Sequence, residues 1–264
     1  MIKNKAIKII AVLSIVVVLF TVLLIYIVAK QEANNTYITI NPDTMKLIQL
    51  ESPKNGDTIA IADTTLGEFR FVLYPEQSPN AVKNFIELAE SGYYDGTYIF
   101  NSESGVYSAG GSKLKNGEMP EEYDKSRELV ERELSQDLWT FKGAICSMTT
   151  TADRSFKEKF FGGGTYFNGS RFLIVNSINF DDETKKALLE NSGNEKLGQA
   201  FIEKGGIPNF AQQMTVIGQT YQGFDVIEAL ANLETENSGI YKIPKEDIMI
   251  NSIKIAVYEE ENAE

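Results

Sequence analysis

Apolar and polar residues follow three different patterns along this chain. From Ile9 to Ala29 nearly every residue is apolar and none is charged. A helix of that length rises about 1.5 Å per residue and spans roughly 30 Å, the thickness of a bilayer's hydrocarbon core. Lys3, Lys5 and Lys8 precede the run, while Lys30 is soon followed by Glu32. That asymmetry keeps residues 1–8 cytoplasmic and sends the remainder across the membrane. The apolar core is longer than the ~7–15 residues of a cleavable signal, and no small-x-small site follows it. The expectation is therefore a single-pass, uncleaved signal-anchor over 9–29 in the cell membrane, with an extracytoplasmic folded domain. Residues 30–56 are polar, with NNT, NPD and SPKNG turn signals, and read as a stalk.

Beyond the stalk the pattern changes to short alternating segments. Thr58–Ala62 and Glu68–Tyr74 alternate around a TTLGE turn, which predicts a hairpin. Ser78 and Pro79 then supply an N-cap and a first helical residue, and Ala81, Val82, Phe85, Ile86, Leu88 and Ala89 recur at helical spacing up to Gly92. Further strands are predicted at Thr97–Phe100, Gly105–Ala109, Gly143–Met148, Arg171–Asn176 and Thr215–Thr220. A second helix follows at Phe224–Leu233, and a last strand at Asp247–Tyr258. Many short strands with two well-separated helices indicate a mainly β fold, an antiparallel barrel capped by helices. It occupies 57–259 and leaves an acidic tail, 260–264.

Composition narrows the chemistry. A net charge of −12 and a pI near 4.7 exclude a nucleic-acid partner, whose phosphates require a basic face. The chain has no histidine, which removes Ser-His-Asp and Cys-His catalysis and His-bearing zinc sites together. Cys146, the single cysteine, sits in the apolar run GAICSM and reads as a small buried hydrophobe. The acidic stretch Glu121–Asp137 lacks the D-x-D-x-D-G calcium pattern and reads as a solvated helical face. The Gly-rich FGGGTYFNG, Phe161–Gly169, lacks a GK[ST] context and reads as a flexible lid rather than a phosphate cradle. No metal site or cofactor is expected.

The stretch GDTIAIADTTLGEFRFVLYPEQSPNAVKNFIELAESGYYDGTYI resembles the opening of the cyclophilin-type peptidyl-prolyl isomerases. GVYSAGG, KGAICSM, NGSRFLIV and MTVIGQTYQGFDVIEAL match later anchors of that family in order and spacing. AFIEKGGIPNFAQQMTVIG is similar to an insertion common in bacterial members. The resemblance implies a closed eight-stranded antiparallel β-barrel with two capping helices. It also implies an activity, catalysed rotation about prolyl bonds in proline-containing polypeptide segments. That rotation faces a barrier of ~18–20 kcal/mol. Catalysis needs an apolar pocket for the ring and a hydrogen-bond donor near the prolyl nitrogen, which regains its lone pair in the twisted state.

Several groove positions depart from the family pattern. The family's donor arginine falls on Asn101, and its groove phenylalanine and methionine on Val106 and Tyr107. One glutamine becomes Ala109 and another Arg171. The floor carries Thr149, Thr150 and Thr151, the inner phenylalanine becomes Leu173, and the rim carries Asn209, Phe210 and Met214. Asn101 and Arg171 are the catalytic candidates. Arg171 is read either as a compensating donor or as a solvated or salt-bridged arginine. Two readings of function follow: an extracytoplasmic prolyl isomerase of reduced activity, or a non-catalytic module that binds proline peptides in the same groove.

Overall fold

The structure, a computed structural model, describes residues 17–26, 38–118, 130–151 and 166–260. Residues 17–26 are helical. Among the described residues no helix is long and apolar enough to cross a membrane, and the rest of the expected 9–29 span lies outside them.

The expected hairpin is β1 (Thr58–Thr64) and β2 (Gly67–Leu73), joined at Thr65–Leu66. The first helix, α1 (Pro79–Glu90), follows, then β3 (Thr97–Glu103), β4 (Tyr107–Ser112) and the two-residue β5 (Val130–Glu131). Next come β6 (Ala144–Thr151), β7 (Tyr166–Val175), α2 (Asp182–Asn191) and α3 (Glu195–Lys204). The chain finishes with β8 (Thr215–Gln222), α4 (Phe224–Ala231), β9 (Thr235–Ser238), β10 (Tyr241–Pro244) and β11 (Met249–Val257). The strands run β4-β3-β11-β1-β2-β8-β6-β7, and β7 pairs back onto β4. This closes the eight-stranded antiparallel barrel, with β5 added against β7 and β9–β10 forming a separate hairpin.

Period-two alternation fills the barrel. Phe69, Phe71, Ile99, Ile145, Phe172, Ile174 and Ile217 point into one core with Phe85 and Leu88 of α1 and Ile227 and Leu230 of α4. The rings interlock: Phe85 lies 5.2 Å from Tyr94 and 5.9 Å from Phe172. The two expected capping helices are therefore α1 and α4. The pair α2–α3 was not apparent in the sequence. Asp181 and Asn194 cap those helices through Thr184 N–H and Leu197 N–H, and α3 buries Leu197, Ala200 and Phe201 against Trp139 and Phe141.

Three local expectations are corrected. Ser78 does precede α1, but its hydroxyl donates to the Val216 carbonyl; Glu133 instead accepts the N–H groups of Asn80 and Ala81. Glu133 belongs to the acidic stretch read as a helical face, yet its described part carries β5 and extended chain. Finally, residues 38–56, read as stalk, pack on the domain. Gln49 is buried and bonds Trp139 N, Trp139 O and Gln219 Oε1, while Ile40, Met45 and Leu47 join the Trp139 cluster.

Candidate functional site

Strands β3, β4 and β7 lie side by side, in a register that aligns Asn101 with Ala109 and Ala109 with Leu173. One step along, Glu103 faces Tyr107 and Tyr107 faces Val175. Because side chains alternate, Phe172 and Ile174 enter the barrel while Leu173 and Val175 face outward. On that outer face, buried Leu173 joins a cluster with half-buried Val106, Tyr107, Met148, Phe210 and Met214. The turn at Pro208–Phe210 brings Phe210 edge-on to Tyr107, with ring centroids 5.7 Å apart. Five of the residues proposed from sequence, Val106, Tyr107, Leu173, Phe210 and Met214, thus share one apolar surface. Ala109 is buried between Asn101 and Leu173, Thr149 is half-buried on β6 with Thr150 and Thr151 following it, and Asn209 is exposed. Most of the Gly-rich lid segment lies outside the described residues.

A polar flank borders this surface. Asn101 is only 2% exposed, and its Oδ1 accepts the Lys242 backbone N–H at 2.7 Å. The Lys242 ammonium pairs with Glu103. Arg171 lies on the same face of β7 as Leu173, but its guanidinium turns toward the flank. Its Nη1 donates to the Gly117 carbonyl at 2.6 Å and to the Tyr241 hydroxyl at 3.2 Å, and its Nε is buried with no partner among the described residues. The guanidinium also stands 6.0 Å from the Phe100 ring centroid, which Tyr241 meets edge-on at 5.1 Å. Gly117 (φ +77°) closes this packing, since a Cβ there would lie 2.3 Å from the Phe100 ring. Both catalytic candidates therefore hold β10, a hairpin strand that sequence reasoning missed. The Ser238–Gly239 pair is a turn signal, but the strand before it, Thr-Glu-Asn-Ser, is entirely polar and shows no alternation.

Electrostatics at the site are mild. Burial pushes the Tyr107 phenol above its usual pKa with help from the Glu103 carboxylate, and the Asn101 side chain, a hydrogen-bonding neighbour, pulls the other way. Among the described residues no group of three His, Cys, Asp or Glu could hold a metal ion.

The closed barrel of this strand order thus carries an apolar cluster on the outer face of β4 and β7. The family model for cyclophilin type peptidyl-prolyl cis-trans isomerases matches residues 58–255. A Staphylococcus saprophyticus protein provisionally named a peptidyl-prolyl cis-trans isomerase is 31% identical over 208 residues, covering 78% of this chain and 96% of that one. A Streptococcus pyogenes protein provisionally named a bifunctional phosphatase/peptidyl-prolyl cis-trans isomerase is also 31% identical, over 73% of this chain and 37% of its own length. The crystal structure of a Cryptosporidium parvum cyclophilin type isomerase has the same fold, with a TM-score of 0.54 and 21% identity over 77% of this chain and 99% of that one. This chain belongs to the cyclophilin-type peptidyl-prolyl cis-trans isomerase family.

Proposed function

We propose that the chain is a membrane-anchored, extracytoplasmic prolyl isomerase of reduced activity, acting on proline-containing segments of proteins that fold outside the membrane. The observation that carries this reading is the groove itself. Leu173 forms a buried floor and Val106, Tyr107, Phe210 and Met214 form apolar walls, a surface on which a pyrrolidine ring can desolvate. A related Cryptosporidium parvum structure was determined in the presence of the dipeptide Ala-Pro, which supports a prolyl ligand for this fold. The flank supports reduced activity. No arginine stands on β3, Asn101 is buried, and Arg171 is engaged by Gly117 and Tyr241. Membrane attachment rests on the uncharged run Ile9–Ala29 and the lysines before it.

The same engagement of Asn101 and Arg171 favours a second reading, a non-catalytic module that docks proline peptides in the groove. An isomerase assay on the full chain with a chromogenic Ala-Pro tetrapeptide separates the two, run beside calorimetric titration with the same peptide. Turnover above the uncatalysed rate supports the enzyme. Saturable binding without turnover supports the module, and neither binding nor turnover refutes both.

A further inference from the structure

Prolyl rotation needs a donor that reaches the groove and is not already committed. As the amide twists, its nitrogen regains a lone pair, and a hydrogen bond formed only then lowers the barrier. Arg171 directs Nη1 away from the groove, and its Nε is enclosed. Asn101 is sealed beneath β10. Tyr107 differs from both: it is half-buried, belongs to the groove cluster and has its ring against Phe210.

Register explains how the phenol is held. Asn101 pairs with Ala109, and Tyr107 lies two residues before Ala109 on β4, so Tyr107 and Asn101 are diagonal neighbours on one face. Such neighbours stand about 7–8 Å apart, within reach of an aromatic side chain. The Lys242 N–H on Asn101 Oδ1 fixes which end of that amide is which. With the oxygen held by the backbone of β10, the NH2 is the end left to address the phenol oxygen. A phenol that accepts from Asn101 has its own hydrogen free to donate elsewhere, and its ring belongs to the groove cluster.

We propose that the Tyr107 hydroxyl is the catalytic hydrogen-bond donor to the prolyl nitrogen, oriented by Asn101 as a positioning residue that β10 locks in place. This rests on the reading of the groove as a prolyl-peptide site. Burial and the Glu103 carboxylate raise the Tyr107 pKa and outweigh the opposing pull of Asn101, so the hydroxyl keeps its proton throughout the neutral range.

The test is isomerisation of a chromogenic Ala-Pro tetrapeptide by the full chain and two variants, with peptide affinity measured in parallel. Tyr107→Phe keeps the ring and removes the donor; turnover falls by tenfold or more while the peptide Kd stays within twofold. Asn101→Asp keeps the acceptor for Lys242 N–H but presents a carboxylate to the phenol, drawing its proton back into the protein. Turnover falls at neutral pH and recovers as acid protonates the introduced carboxylate, a pH profile that a merely structural role would not give. Tyr107→Phe turning over within twofold of wild type overturns the proposal and leaves the isomerase reading standing. Asn101→Asp with a flat pH profile removes Asn101 from the scheme and overturns the proposal as stated. A wild-type chain that binds the peptide without turnover overturns the proposal together with the isomerase reading.

Discussion

Truncating Arg171 to alanine separates a clamp from a donor. The substitution removes a charged hydrogen bond to the Gly117 carbonyl, worth about 1.5–3 kcal/mol, and a longer one to the Tyr241 hydroxyl, worth about 1 kcal/mol. It also removes the approach to the Phe100 ring, worth roughly 0.5–1 kcal/mol. Against these losses, it relieves a buried Nε that has no partner among the described residues, a group whose enclosure costs about 1–3 kcal/mol. The net destabilisation is about 2 kcal/mol, which for a domain of this size lowers the Tm by roughly 4–8 °C. The loss is local, so hydrogen exchange at Tyr241 and Lys242 quickens before exchange in the barrel does. Thermal unfolding and exchange of the full chain read these effects, and an isomerase assay reads turnover, which falls by less than threefold. A tenfold loss of turnover with an unchanged Tm would refute the clamp and make Arg171 the compensating donor that its alignment suggests. Arg171→Lys recovers part of the stability, because a point charge can reach one acceptor but lacks the planar fork.

Leu173→Ala opens the floor of the groove, destabilises the chain by about 2–5 kcal/mol in urea titrations and weakens proline-peptide binding; unchanged affinity would place the ligand elsewhere. Burial raises the Cys146 thiol to about 12, so Ellman's reagent does not label the native chain at pH 8 but labels it on unfolding. With a folded pKa above the unfolded one, this thiol's contribution to stability is full below about pH 9 and is lost as pH rises toward about 12; fast native labelling would contradict the burial. If the proposed anchor at Ile9–Ala29 is retained, the chain stays in the membrane fraction after carbonate washing, with residues after Lys30 open to external protease; recovery of a soluble form starting between Gln31 and Thr36 would remove the anchor.

The barrel was legible because its signals are local. Alternation at Thr58–Ala62 and helical spacing from Ala81 to Ala89 each depend on a few neighbouring residues, and the structure keeps both. What escaped were arrangements set by distant partners. Glu133 caps a helix more than fifty positions before it, so a run of acidic residues looked like a solvated face. Gln49 looked like part of a polar tether until Trp139 and Gln219 appeared beside it. Alignment placed Arg171 on the groove strand, but its direction depends on Tyr241, in a hairpin absent from the sequence reading. The apolar surface was easier to read than the polar flank, since burial needs only the face of a strand while a hydrogen bond needs the partner's identity.

The first strand of the barrel pairs with its last, Thr58 with Val257 and Ile59 with Ala256, and the Gly56 N–H reaches the Tyr258 carbonyl beside them. During synthesis β1 and β2 emerge early, and one edge of β1 then waits for nearly the whole domain to be made. An open strand edge is a template for pairing with other chains, and long-range closure is slow. A nascent chain of this kind is itself vulnerable to aggregation until β11 arrives. The order of synthesis thus leaves the edge of β1 as a stretch of the nascent chain open to mispairing until the last strand is made.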